Sequence, residues 1–191
     1  MTDAEAALAR AACAEAALLA ANGGAALLLA VAAAVPCGER LVLQRGHVVD
    51  LGGSPLDIVR LAGAVPVEVG FADACGEKAL GAAMAGARAG LFVGGVAADG
   101  LLDLPRFAWA CHQAGVPAIV HLNSGRDWTA RLDAGADLVV VDLMRSAGVD
   151  GGLVLGRADL VAMARERLAA VPSLLAPPAG LAATFRLEPW P

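Results

Sequence analysis

Residues 137–155 read Asp137-Leu138-Val139-Val140-Val141-Asp142-Leu143-Met144-Arg145-Ser146-Ala147-Gly148-Val149-Asp150-Gly151-Gly152-Leu153-Val154-Leu155. The run 137–141 is unbroken Leu and Val after its first residue, the pattern of a strand covered on both faces. Residues 151–155 have the same character. The nine residues between the two runs are too few for a helical crossover, so this pair is expected to be antiparallel.

Upstream the pattern differs. Short apolar runs at 41–44, 65–69, 90–93 and 117–122 alternate with helical segments at 25–35, 56–62, 77–88, 104–114 and 128–134, and a last clear helix covers 158–169. Ser54 is placed to cap, and Pro55 to begin, the helix over 56–62. An Ala-rich stretch at 4–20 has helix-forming composition and ends at Ala21-Asn22-Gly23-Gly24. Strands alternating with helices imply βαβ units. The expectation is one α/β domain over 1–191, with a mostly parallel sheet of about seven strands, helices on both faces and one antiparallel strand near the C-terminus. No repeat or interdomain linker interrupts it.

Composition narrows the function classes. The chain carries thirteen arginines, a single lysine (Lys78) and a net charge of −5. With a pI near 5.1, it lacks the basic surface that phosphate neutralisation on nucleic acid requires. Cys13, Cys37, Cys75 and Cys111 are widely separated and show no metal-ligand spacing with His47, His112 or His121, which suggests free thiols in a reducing compartment. The most apolar run, 25–36, is about twelve residues, short of the roughly twenty that a membrane span needs. A cytoplasmic protein is expected.

Some residues are placed for chemistry. Asn22-Gly23-Gly24 opens a helix, where free N–H groups and the macrodipole favour an anion; a glycine turn that needs no ligand is the plain alternative. Arg45 and His47 follow a strand, at the edge where open α/β sheets bind ligands. His47 could stack on a planar ligand with Arg45 as an anion contact, or simply pack. Ser124, Arg126 and Asp127 follow another strand, but no G-x-S-x-G elbow supports a hydrolase triad.

Taken in order, several stretches resemble the bacterial selenocysteine synthase family, the pyridoxal-phosphate-dependent L-seryl-tRNA selenium transferases. They are Cys13-Ala14-Glu15-Ala16-Ala17-Leu18-Leu19 with Asn22-Gly23-Gly24, Arg45-Gly46-His47-Val48-Val49-Asp50-Leu51-Gly52-Gly53-Ser54, and Leu61-Ala62-Gly63-Ala64-Val65-Pro66-Val67-Glu68-Val69-Gly70. Further on come Gly115-Val116-Pro117-Ala118-Ile119-Val120-His121-Leu122-Asn123-Ser124-Gly125, Ala134-Gly135-Ala136-Asp137 with Gly152-Leu153-Val154-Leu155-Gly156-Arg157, and Leu181-Ala182-Ala183-Thr184-Phe185-Arg186-Leu187.

The resemblance implies the large domain of the aspartate-aminotransferase fold type, standing without the small domain. It implies a phosphate cradle at Asn22, Gly23 and Gly24. The position that normally holds an aspartate against the pyridinium nitrogen reads His121, and the cofactor lysine falls at Met144 beside Arg145. No covalent cofactor is therefore expected, only a vestigial or noncovalent pyridoxal phosphate site with Arg45, His47 and Ser124 around it. The implied role is a degenerate, non-catalytic subunit or regulatory partner, forming a homo-oligomer or a hetero-oligomer with a full-length homologue. One alternative is a small transferase or lyase whose lysine comes from a partner, or which holds the cofactor noncovalently. A second is a binding module for a phosphorylated metabolite.

Overall fold

The structure, a computed structural model, describes residues 1–45, 55–71, 73–94, 100–122 and 127–184. The elements run α1 (Asp3–Ala11), β1 (Ala16–Ala20), α2 (Gly23–Ala34), β2 (Arg40–Gln44), α3 (Pro55–Leu61), β3 (Val65–Val69), α4 (Glu77–Met84), β4 (Ala89–Gly94), α5 (Leu104–Gln113), β5 (Ala118–Leu122), α6 (Trp128–Asp133), β6 (Leu138–Asp142), α7 (Leu143–Ala147), β7 (Gly152–Gly156), α8 (Ala158–Ala170), α9 (Pro172–Leu175) and α10 (Leu181–Thr184). The strands form one seven-stranded sheet in the order β1-β7-β6-β5-β4-β2-β3. Neighbours from β3 through β2, β4 and β5 to β6 are parallel, and β7 is antiparallel to both β6 and β1. The expected architecture, with its antiparallel strand after residue 150, is the one observed.

Alternation along the strands divides the core into two layers. Leu18, Leu41, Leu43, Leu91, Val93, Ile119, Leu138, Val140 and Val154 pack with α2, α3 and α8. Leu19, Val42, Phe92, Val120, Val139, Val141 and Leu153 pack with α1, α4 and α5 on the other face. A period of two with both faces covered explains why these strands read as continuous apolar runs.

The expected helix over 4–20 is corrected. α1 stops at Ala11, Cys13 turns the chain with φ 53°, and residues 16–20 form edge strand β1. An Ala-Ala-Leu-Leu-Ala sequence has no intrinsic strand preference; its ladder with β7 decides. The outer edge of β1 is closed by charged groups rather than left open. The Glu5 carboxylate accepts the N–H of Leu19 (3.1 Å). Arg165 donates to the Ala17 carbonyl (3.0 Å) and pairs with Glu5 (3.1 Å). Glu5 also completes a capping box with Thr2 at the start of α1, so one buried carboxylate ties helix, edge strand and α8 together.

α2 connects β1 at one edge to β2 far across the sheet, and it is apolar all round, as a buried helix should be. Its small residues let it lie close against β7. A Cβ on Gly152 would collide with the Asn22 carbonyl oxygen and come within 2.9 Å of the Ala26 Cβ. No described helix is long and apolar enough to cross a membrane.

Two expectations follow. Burial raises the Glu5 pKa, but the N–H groups of Thr2 and Leu19 and the Arg165 guanidinium outweigh it and hold the carboxyl below its ordinary value. Its contribution to stability is thus present at neutral pH and lost as pH falls below the ordinary carboxylate range and through the depressed value. Glu5→Ala should cost about 2–4 kcal/mol at pH 7 in chemical unfolding, a deficit that shrinks under acid conditions. Gly152→Ala should cost about 3 kcal/mol, because backbone rather than a movable side chain blocks the added methyl.

Candidate functional site

β1, β2, β3, β4, β5 and β6 all end at the same sheet edge, since β1 runs parallel to β6 through the intervening β7. In open α/β sheets this is the edge where ligands bind. The turn into α2, the end of β5 and the turn from β6 into α7 meet there, on the face covered by α2.

Asn22 caps α2 from an extended backbone, and its side chain accepts the Ala25 N–H at 2.8 Å. Gly23 is the first helical residue, and Asp142, the last residue of β6, packs directly on it. An ideal Cβ on Gly23 would lie 2.7–2.8 Å from the Asp142 Cβ, Cγ and Oδ2, so only glycine admits that carboxylate. Asp142 is also the N-cap of α7: its Oδ1 accepts the Arg145 N–H at 3.2 Å, and its Oδ2 lies 4.0 Å from Arg145 Nε. Met144, next to Arg145, is half-exposed at 49%.

His121 is the fourth residue of β5. By strand alternation it shares the α2 face with Ile119, while Asp142 shares it with Leu138 and Val140. His121 is only 7% exposed, and among the described residues its Nδ1 has no hydrogen-bond partner. Burial pushes its pKa down to about 4. The nearby Asp142 carboxylate opposes that shift and the Arg145 guanidinium adds to it. The imidazole is therefore neutral at physiological pH.

Of the residues singled out from the sequence, Asn22, Gly23 and Gly24 stand at the start of α2, His121 near the end of β5 and Met144 at the start of α7, all at this end of the sheet. Arg45 does not join them: it leaves β2 toward β3 and pairs with Glu68 at 3.5 Å. His47 and Ser124 lie outside the described residues. Lys78 is exposed on α4, which follows β3 at the far end of the sheet. β3 is four strands from β6, about 19 Å at the usual interstrand spacing.

Sequence reasoning missed Asp142 and Gln44. An Asp three residues before Arg145 at the end of a Val run is a readable N-cap signal, but nothing in the sequence brings it against Gly23. Gln44 is fully buried, and its amide both donates to and accepts from the Leu102 backbone, each at 2.9 Å. It pins the segment before α5 to the end of β2, at the point where strand order reverses. A groove of about 450 Å³ between α4 and α5, lined by Glu77, Met84, Arg106 and Trp109, lies on the sheet face opposite α2. Among the described residues no cluster of three or more His, Cys, Asp or Glu could hold a metal.

No protein-family model matches the chain. The 5′-C-glycyluridine monooxygenase-decarboxylase of a Streptomyces species is 31% identical over 146 residues, which is 69% of this chain and 34% of that protein. Among solved structures, D-glucosaminate-6-phosphate ammonia-lyase superposes with a TM-score of 0.82 at 23% identity, over 97% of this chain and 53% of that one. The pyridoxal-5′-phosphate-dependent protein YhfS from Escherichia coli gives 0.71 at 22%, over 86% and 46%. Sphingomonas wittichii serine palmitoyltransferase gives 0.68 at 19%, over 85% and 43%. The chain thus spans about a third of the curated relative and about half of the solved structures. Its fold is that of the pyridoxal-phosphate-dependent transferases and lyases.

The His121 geometry predicts a distinct acid response. Because folding depresses its pKa from 6.5 to about 4, only the unfolded chain takes up a proton between those values. Stability should therefore fall by about 3 kcal/mol as pH drops through that window. Histidine-resolved NMR titration should show His121 still neutral at pH 5, and His121→Asn should flatten stability across the same interval.

Proposed function

We propose that this chain is a non-catalytic relative of the pyridoxal-phosphate-dependent transferases, acting as a subunit or regulatory partner within an oligomer. The observation that carries the reading is the β6–α7 turn. It presents Met144 and Arg145, neither of which forms an imine, while the chain's only lysine is exposed on α4, which packs against β2 and β3. Pyridoxal phosphate supplies an electron sink when a protein holds its phosphate, its ring nitrogen and an imine-forming amine. Among the described residues at this end of the sheet, that set is not supplied. Asp142 would repel a phosphate at the first turn of α2, and a neutral His121 brings no negative charge to a pyridinium.

The oligomeric part rests on exposed apolar side chains. Leu61, Phe71, Trp109 and Leu174 are 61–75% exposed, side chains that a partner surface would cover. The ordered motifs favour common descent with selenocysteine synthase, whereas the net charge of −5 weighs against a retained tRNA-binding role.

The 31% identity with the Streptomyces monooxygenase-decarboxylase favours a second reading, an enzyme whose lysine is supplied by a partner chain or which holds the cofactor noncovalently. One experiment separates the two. Intact-mass spectrometry after incubation with pyridoxal phosphate and borohydride should find no site-specific adduct. An aldimine absorbance band appearing only with a full-length homologue would support the enzyme reading. A saturable, phosphate-competed adduct on Lys78 would overturn the proposal outright.

A further inference from the structure

We propose that the groove between α4 and α5 is a dimerisation surface of this chain, filled by Trp109 of a second copy that approaches on a two-fold axis parallel to the two helices. The inference rests on the oligomer reading given above and supplies its surface, its symmetry and its anchor.

Both helices are crossovers between parallel strands, α4 from β3 to β4 and α5 from β4 to β5, so they run side by side in the same direction. Leu80, Phe107 and Cys111 turn inward to the core. The outward face keeps a groove of about 450 Å³, and Trp109 stands at its wall, 61% exposed. One patch thus carries both a large apolar projection and a recess. A two-fold contact needs both on the same patch, because each copy must give and receive with identical residues.

Gly81 is the second observation. It lies inside α4 and lines the groove, where an ideal Cβ would meet no described atom within 4 Å. Packing within the chain does not demand glycine there, and glycine is a poor helix former. Its missing side chain keeps the middle of the groove open. Glu77 and Arg106, paired at 3.6 Å, mark the offset between the helices. Four residues further on, about 6 Å along each axis, Gly81 stands level with Ala110 and within one residue of Trp109. A two-fold axis along the groove sets α5 of each copy over α4 of the other. Trp109 then faces the partner's Gly81, and Arg106 faces the partner's Glu77.

Charge favours the same occupant. α4 and α5 carry one acidic residue, Glu77, against Lys78 and Arg106, whereas the chain as a whole has a net charge of −5. This face escapes the repulsion that two acidic chains meet elsewhere. Arg106 and Glu77 are 64% and 60% exposed, so their cross-copy pairs lie at the rim and set orientation. The indole supplies the apolar anchor, the part that tryptophan most often plays at interfaces.

Sedimentation velocity on the full chain tests this. The 19.0 kDa chain should reach twice that mass with a dissociation constant of about 10 μM or tighter. Trp109→Lys should weaken the dimer by about thirtyfold or more. Gly81→Gln fills the recess with a better helix former. It should weaken the dimer while holding or raising the thermal stability of the dilute monomer, a combination that misfolding does not produce. Glu77→Arg and Arg106→Glu should each impair self-association, because every cross-copy pair becomes like-charged. Mixed in equal amounts, the two variants should form a mixed dimer, since each copy then meets the opposite charge on the other.

A chain that stays at 19.0 kDa up to about 100 μM overturns the proposal and the homo-oligomer reading together. A dimer that neither Trp109→Lys nor Gly81→Gln weakens overturns this surface alone and leaves the oligomer reading standing. Failure of the two charge-reversed variants to associate when mixed overturns the two-fold arrangement. The borohydride experiment tests catalysis separately from all three.

Discussion

The seating of α2 on the sheet is the contact from which the rest of the molecule is arranged. α2 has to travel from β1 at one edge to β2 on the far side, and it can do so only by lying flat on β6 and β7. Gly152 removes the side chain that would strike the Asn22 carbonyl, and Ala26 presents only a methyl. This close approach sets where the helix begins, and hence which side chains its positive end faces. Gly23 completes the arrangement by leaving room for the Asp142 carboxylate at that end.

The start of α2 is an electrostatic compromise. A carboxylate, a helix N-terminus and a half-exposed guanidinium lie together, and Asp142 is stabilised by both the helix and the α7 backbone. His121 beside them is governed by burial, which drives it neutral despite the carboxylate nearby. The same fold in the ammonia-lyase and in serine palmitoyltransferase shows that the scaffold accommodates several chemistries. Function in such folds resides in the few residues at the strand ends rather than in the sheet.

Glu5 plays a comparable part at the outer edge of β1. An edge strand made of Ala and Leu would invite pairing by another chain. The Glu5 carboxylate and the Arg165 guanidinium occupy the outer Leu19 N–H and Ala17 carbonyl instead. The charges that close β1 come from α1 and α8, elements far apart in sequence.

The alternation of Val- and Leu-rich runs with helical segments was legible in the amino-acid sequence, and so was the antiparallel return after residue 150, because both rest on local periodicity and chain length. Of the candidate residues, Asn22, Gly23, Gly24, His121 and Met144 stand at strand and helix ends that the pattern locates. Three features were not legible. β1 is a strand only because β7 pairs with it, since its alanines and leucines would serve equally well in a helix. Arg45 stands at a strand end, yet the strand order pairs it with Glu68 on β3. Asp142 meets Gly23 across some 120 residues of chain, a contact created by α2 crossing the sheet. Local sequence determined the elements and their sense; which charges face one another was decided by tertiary structure, because electrostatic partners depend on distance in space and not on separation along the chain.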